Sequence, residues 1–186
     1  MRIKYNAPTV LTYTFMCVIV LVLSQTILRG LAEYWFMVPG RGGFSAGSPR
    51  NWITLLTHIA GHANWTHLIS NFSFILLIGP ILEENYGAWS LLFMIVITAL
   101  VTGILNVLFF TTALMGASGV VFMMILLASF TNFNKGEIPL TFILVLILYL
   151  GRELFNAFTA NNISEFAHIA GGFCGSLFGF FRPPKR

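Results

Sequence analysis

The chain has 186 residues, of which 57% are hydrophobic and only 9% charged, so its composition excludes an ordinary soluble domain. Ten Lys and Arg against six Glu give a net charge of +4, and there is no Asp. This small basic excess favours a role in membrane topology over a nucleic-acid partner. We therefore expect an integral membrane protein with one domain over residues 1–186.

Six apolar segments predict an all-α membrane protein, a bundle of six transmembrane helices. They cover approximately residues 10–29, 57–80, 88–110, 116–131, 138–158 and 164–182. An even number of spans places both termini on one side, and that side carries six positive residues against four on the other. The positive-inside rule then predicts cytoplasmic termini. We expect a multi-pass protein of a bacterial plasma (inner) membrane.

The first connection, residues 31–56, is long and mixes two kinds of signal. Tyr34-Trp35-Phe36 supplies aromatic anchors, whereas the Gly and Pro residues at 39–43 interrupt regular structure. Aromatic side chains prefer the boundary between membrane and water, so we expect this loop to lie in the interface.

The second segment contains polar side chains that allow two interpretations. His58 and His62 are four residues apart and would share a helix face, as zinc ligands do, but no glutamate or other carboxylate lies beside them, which disfavours a metal site. His67 and Asn71 are also four apart, and both can donate a hydrogen bond to an oxygen. Alternatively, His67 and Asn71 are core residues bonded to backbone carbonyls.

The fourth segment is too short to cross the membrane. Residues 116–131 would span about 24 Å as a helix, against a hydrocarbon core of about 30 Å. Ser118 would then lie below the outer surface, and residues 111–115 would be non-helical backbone lining a wet pocket. Ser118 itself is either a nucleophile or a small residue that caps the helix.

The sixth segment combines a histidine with a regular series of small residues. After His168, glycines recur at every fourth position: Gly171, Gly175 and Gly179. A smooth face of this kind lets another backbone approach closely, and Gly116 and Gly119 suit that approach in the fourth segment. Packing of the two segments would bring His168 to Ser118. A serine and a histidine at membrane depth are costly unless they satisfy each other.

Taken together, these motifs resemble the rhomboid intramembrane serine proteases. The resemblance rests on HANWTHLISN at residues 62–71, GASG at 116–119, AHIAG at 167–171 with Gly175, GPILE at 79–83 with Tyr86-Gly87, and Trp52. It implies that Ser118 is the nucleophile and His168 the general base. It also implies that His67 and Asn71, with the Ser118 backbone N–H, form an oxyanion hole.

The same resemblance implies a class of substrate, and one residue of this chain differs from the family pattern. Single-span membrane proteins would be cleaved within their transmembrane segments, surrounding lipid would be the other partner, and neither a cofactor nor a metal is expected. Arginine often follows the tryptophan of the first loop in this family, whereas Ile53 follows Trp52 here. Anchoring of that loop, for which Glu83 is a candidate, would therefore differ.

Two functions from other classes compete with proteolysis. A catalytically silent rhomboid-like binder or chaperone would typically lack the serine or the histidine, and both are present. A transporter would show charged residues within its spans, and only Arg152 and Glu153 approach that description.

Overall fold

A computed structural model describes residues 3–130, 140–145, 147–148 and 163–181. Within these residues the regular structure is helical. The helices are α1 Pro8–Gln25, α2 Leu31–Trp35, α3 Pro49–Thr57, α4 Trp65–Tyr86, α5 Ala88–Phe109, α6 Ser118–Ser129, α7 Leu140–Val145 and α8 Ile163–Phe181. A short 3₁₀ turn, His58–Ala60, follows α3 directly. The prediction of an all-helical fold is confirmed for this part of the chain.

Three of the described helices, α1, α4 and α5, are long and apolar enough to cross a membrane. Helix α6 has 12 residues and is about 18 Å long, so the prediction of a short fourth segment is confirmed. Of the fifth predicted segment, 138–158, the structure describes α7 and residues 147–148, while Arg152 and Glu153 lie outside the described residues. Six spans therefore remain a prediction.

The limits predicted for the second segment are wrong at both ends. Helix α4 begins at Trp65 instead of residue 57, because the Asn64 side chain accepts the His67 backbone N–H at 2.8 Å and caps the helix there. The helix then continues through Pro80 to Tyr86. Gly87, with φ +85°, turns the chain directly into α5. Residues 58–64 consequently belong to the connection that precedes the helix.

Helix α6 lies at the centre of the bundle. Every residue from Gly119 to Leu127 is buried, as expected for a helix that is apolar on all sides. Helix α8 packs along it through its glycines, since a Cβ on Gly171 would overlap the Gly119 carbonyl and one on Gly175 the Met123 carbonyl. The predicted packing of the sixth segment on the fourth is confirmed.

Glu83 anchors α1 and not the first loop, which corrects the role suggested for it. Its carboxylate is buried and accepts the backbone N–H groups of Thr9 at 2.9 Å and Val10 at 3.0 Å. These N–H groups begin α1 and would otherwise lack acceptors, so a negative charge there is favourable. In the first loop the Trp52 indole instead donates to the Ala46 carbonyl at 2.9 Å.

Candidate functional site

The N-terminus of α6 provides free hydrogen-bond donors beside Ser118. Ser118 is the first residue of the helix, and no described side chain caps it. The first backbone N–H bonded within the helix is that of Val121, which donates to the Ala117 carbonyl at 3.0 Å. The preceding N–H groups therefore face outward at the positive end of the helix dipole, next to the Ser118 hydroxyl.

His67 and Asn71 lie against Gly116, two residues before Ser118. A Cβ on Gly116 would be 2.7 Å from His67 Cε1, 2.8 Å from His67 Nε2 and 3.9 Å from Asn71 Nδ2. The His67 ring thus occupies the space where any other residue would place its side chain. One turn of α4 separates His67 from Asn71, so both present polar groups to the loop that leads into α6.

Replacement of Gly116 by alanine is expected to disrupt this arrangement. Gly116 has φ +130°, and the added methyl group would also collide with the His67 ring. Gly42 is a matched control because it has φ +95° and nothing within 4 Å of a Cβ. Both variants carry backbone strain, of about 1–3 kcal/mol, but only Gly116→Ala displaces His67.

The melting temperature of Gly116→Ala and Gly42→Ala is measured in the same detergent as their activity, taken as the rate at which a fluorophosphonate labels Ser118. We expect both variants to melt at a lower temperature than the unmodified protein. Only Gly116→Ala should lose more activity than its fall in melting temperature explains. Equal losses of activity would mean that the contact between Gly116 and His67 has no functional role.

His168 lies over the face of α6 that begins at Ser118. Its ring stacks on Phe122 with centroids 4.4 Å apart and planes inclined by 7°. Phe122 is four residues after Ser118, so the two share one face of the helix. The preceding residue, Ala167, directs its carbonyl to within 3.3 Å of a Cβ built on Gly119. Ser118 and His168 are both only partly buried.

His62 also contacts this site, although its spacing in the sequence predicts that it shares a helix face with His58. Asn71 Nδ2 donates to His62 Nε2 at 3.2 Å, and the rings of His62 and His67 meet edge to face at 5.1 Å. His62 lies in the connection before α4, where burial, with a further contribution from His67, lowers its pKa to about 4. The neutral ring that results can accept the Asn71 amide hydrogen and fix its orientation.

The helix face that would pair His58 with His62 as metal ligands does not exist. Helix α3 ends at Thr57, and the 3₁₀ turn and the extended Gly61 separate the two histidines. His58 Nδ1 is instead 3.3 Å from the Thr54 carbonyl, and its Nε2 is 3.3 Å from Thr102 Oγ1. Each histidine thus has its own hydrogen-bonded environment.

The loop before α6 is held in place by the first connection and by the 3₁₀ turn that follows α3. The His58 carbonyl accepts the Gly116 N–H at 3.0 Å, and Val38 and Leu114 exchange two backbone hydrogen bonds of 2.9 Å. Residues 111–115 are non-helical, as predicted. The turn that positions Ser118 therefore depends on contacts with chain segments far away in sequence.

Comparison with known proteins gives a consistent result. A sequence model of the Rhomboid domain matches residues 49–185. The chain is similar to "Rhomboid protease GlpG" of Haemophilus influenzae, with 23% identity over 128 residues, 67% of each chain. It is also similar to "Rhomboid-like protein 11, chloroplastic" of Arabidopsis thaliana, with 29% identity over 154 residues, 80% of this chain and 51% of that relative. The match to this second relative thus spans about half of its length.

Proposed function

This chain belongs to the rhomboid family, and on that premise we propose that it is an intramembrane serine endopeptidase. Ser118 is the nucleophile and His168 the general base, while His67, Asn71 and the Ser118 backbone N–H form the oxyanion hole. The observation that carries the proposal is that α4 and α8 both bring polar side chains to the N-terminus of α6. His67 and Asn71 border the turn before Ser118, and His168 covers the face of α6 that follows it.

The proposed reaction needs a base, an oxyanion site and water. As Ser118 Oγ bonds to the carbonyl carbon of the substrate, His168 takes the hydroxyl proton, and negative charge develops on the carbonyl oxygen. The C–N bond then breaks, and His168 returns the proton to the leaving amine. Water attacks the acyl-enzyme by the same route and releases Ser118. A dyad of this kind requires no carboxylate, in agreement with a chain that has no Asp.

Preorganised donors explain why the end of a helix suits this chemistry. In the proposed site the backbone N–H of Ser118, which begins α6, donates to the oxyanion and needs no rearrangement. The amide of Asn71 is held by His62, and the His67 ring is held against Gly116. Loss of one such donor typically costs about 10²–10³-fold in turnover.

Residues 1–186 form a single rhomboid-like membrane domain in this proposal. Helix α1 lies before the matched region, but Glu83 caps it and Val10 packs against Gly79. The proposed topology has six spans, both termini in the cytoplasm and the plasma (inner) membrane of a bacterium as its location. Ser118 then faces the extracytoplasmic side, and single-span membrane proteins reach it from the lipid.

A pair of reporter fusions tests the topology. A reporter placed after Arg186 should indicate the cytoplasm, and one placed between Gly40 and Gly47 the outside, because positive residues are concentrated on the side of the termini. The opposite labelling would place Ser118 toward the cytoplasm and contradict the proposed orientation.

The activity itself is tested with the purified protein in lipid and a panel of single-span helices. Discrete fragments that appear with the unmodified protein and not with Ser118→Ala would support proteolysis. Stable complexes without fragments would indicate a catalytically silent binder. Cleavage that a chelator abolishes would indicate a metal-dependent reaction instead.

Substitution of the proposed oxyanion donors should separate catalysis from stability. We expect His67→Ala and Asn71→Ala each to lower turnover by about 10²-fold, the scale of one lost oxyanion donor. The alternative is that both residues only satisfy core hydrogen bonds, in which case their loss costs about 1–3 kcal/mol of stability. Turnover and melting temperature are therefore measured on the same samples. Proportional losses in both quantities would contradict the oxyanion role.

A further inference from the structure

An apolar groove runs between α1 and α5. It is a cavity of about 610 Å³. Thr12 and Met16 of α1 and Leu92 and Val96 of α5 form its walls, and residues 59–60 of the 3₁₀ turn contribute to its floor. None of these residues belongs to the proposed catalytic site.

The length of the groove matches one leaflet of a bilayer. Along α5 the lining runs from Ala88 to Ala99, about 16 Å at 1.5 Å per residue. This length is half of the hydrocarbon core, which is about 30 Å thick. The floor closes the groove at this depth, where Tyr13 donates to the Ile59 carbonyl at 2.7 Å. A partner's transmembrane helix would have to continue through both leaflets, whereas an acyl chain ends within one.

The mouth of the groove carries opposite charges. A second, polar cavity of about 480 Å³ shares Pro8 and Ala88 with the groove and is lined by Lys4, Glu83 and Glu84. The Glu83 carboxylate is already bound by two backbone N–H groups, which leaves Lys4 and the exposed Glu84 to face a ligand.

We propose that a zwitterionic phospholipid binds here, with one acyl chain in the groove, its phosphate beside Lys4 and its ammonium group beside Glu84. Trp89, which is 82% exposed at the same end of the groove, suits the headgroup region, where indole rings prefer to lie. Lipid binding does not depend on the proposed protease activity. The bound chain also supports the 3₁₀ turn, whose His58 carbonyl holds the Gly116 N–H.

Native mass spectrometry of the full chain, released from nanodiscs with equal amounts of phosphatidylethanolamine and phosphatidylglycerol, tests this proposal. We expect one retained phosphatidylethanolamine per chain. In Val96→Trp the indole fills the groove, so retention should fall by about tenfold or more. Ile104→Trp is the matched control, since Ile104 is exposed on the same helix outside the groove. Glu84→Ala should remove the preference for the zwitterionic lipid, because only that lipid has an ammonium group, whereas Lys4→Ala should lower the retention of both lipids, which share the phosphate.

Other outcomes overturn the proposal. Equal lipid retention by Val96→Trp and Ile104→Trp would show that the groove holds no acyl chain. Equal retention of both lipids by the unmodified protein would exclude the proposed contact between the ammonium group and Glu84. A dimer that only Val96→Trp disrupts would identify a second copy of this chain as the occupant. If Val96→Trp does not fold, Leu92→Trp gives the same readout at a more exposed wall position.

Discussion

Ser118→Ala and His168→Ala are each expected to abolish cleavage, by about 10⁴-fold or more, while the protein still inserts and folds. Each substitution removes one half of a single proton-transfer unit: alanine at 118 leaves no nucleophile, and alanine at 168 leaves the hydroxyl without a base. The double variant should be no slower than either single variant, because a unit that is already broken cannot be broken again. Initial rates of fragment formation from a single-span substrate give all three values.

Losses that multiply in the double variant would mean that Ser118 and His168 act independently. Substantial proteolysis by Ser118→Ala would contradict the assignment of the nucleophile. Phe173→Leu is a suitable control, because Phe173 is 62% exposed on the same helix as His168 and outside the site. We expect it to retain full activity.

Enlarging Gly171 should have the second-largest effect. A methyl group there would already overlap the Gly119 carbonyl, and the backbone of α6 has no room to move because it is buried on all sides. Overpacking of this kind costs about 1–3 kcal/mol and occasionally more. It would also move α8, and with it His168, away from Ser118. We therefore expect Gly171→Ala to impair activity and Gly171→Leu to abolish it.

Melting temperature and cleavage rate of the unmodified protein, Gly171→Ala and Gly171→Leu test this graded expectation. Gly175→Leu should behave in the same way as Gly171→Leu, since a Cβ there would overlap the Met123 carbonyl. Full activity in both leucine variants would mean that close packing of α8 on α6 is not needed to hold His168 in place.

Periodic patterns predicted the parts of the fold that depend on local spacing. Glycines at every fourth position of a membrane helix favour a close contact with another helix, and Gly171 and Gly175 do meet the backbone of α6. Likewise, His67 and Asn71 share a face of α4 as their spacing predicts. The short α6 follows from the length of the apolar run, and its first residue is Ser118.

Contacts between distant segments were not predictable in this way. Glu83 binds the N-terminus of α1, 74 residues earlier in sequence, and no local pattern around Glu83 indicates that partner. The start of α4 is difficult to predict from the sequence because apolar residues occur on both sides of it. Asn64 is the one residue there that indicates a helix N-cap. Without that boundary, His62 is assigned to a helix instead of the connection from which it contacts Asn71.

Covalent labelling by a fluorophosphonate tests most directly whether Ser118 is an activated nucleophile. In this reaction the Ser118 Oγ–P bond forms, the P–F bond breaks, fluoride leaves and His168 takes the hydroxyl proton. Peptide mass spectrometry of the labelled protein should find the adduct on Ser118, formed more slowly in His67→Ala and Asn71→Ala and hardly at all in His168→Ala. An adduct on another serine, such as Ser70 or Ser73 of α4, or labelling of Ser118 at an unchanged rate in His168→Ala, would contradict the proposed site.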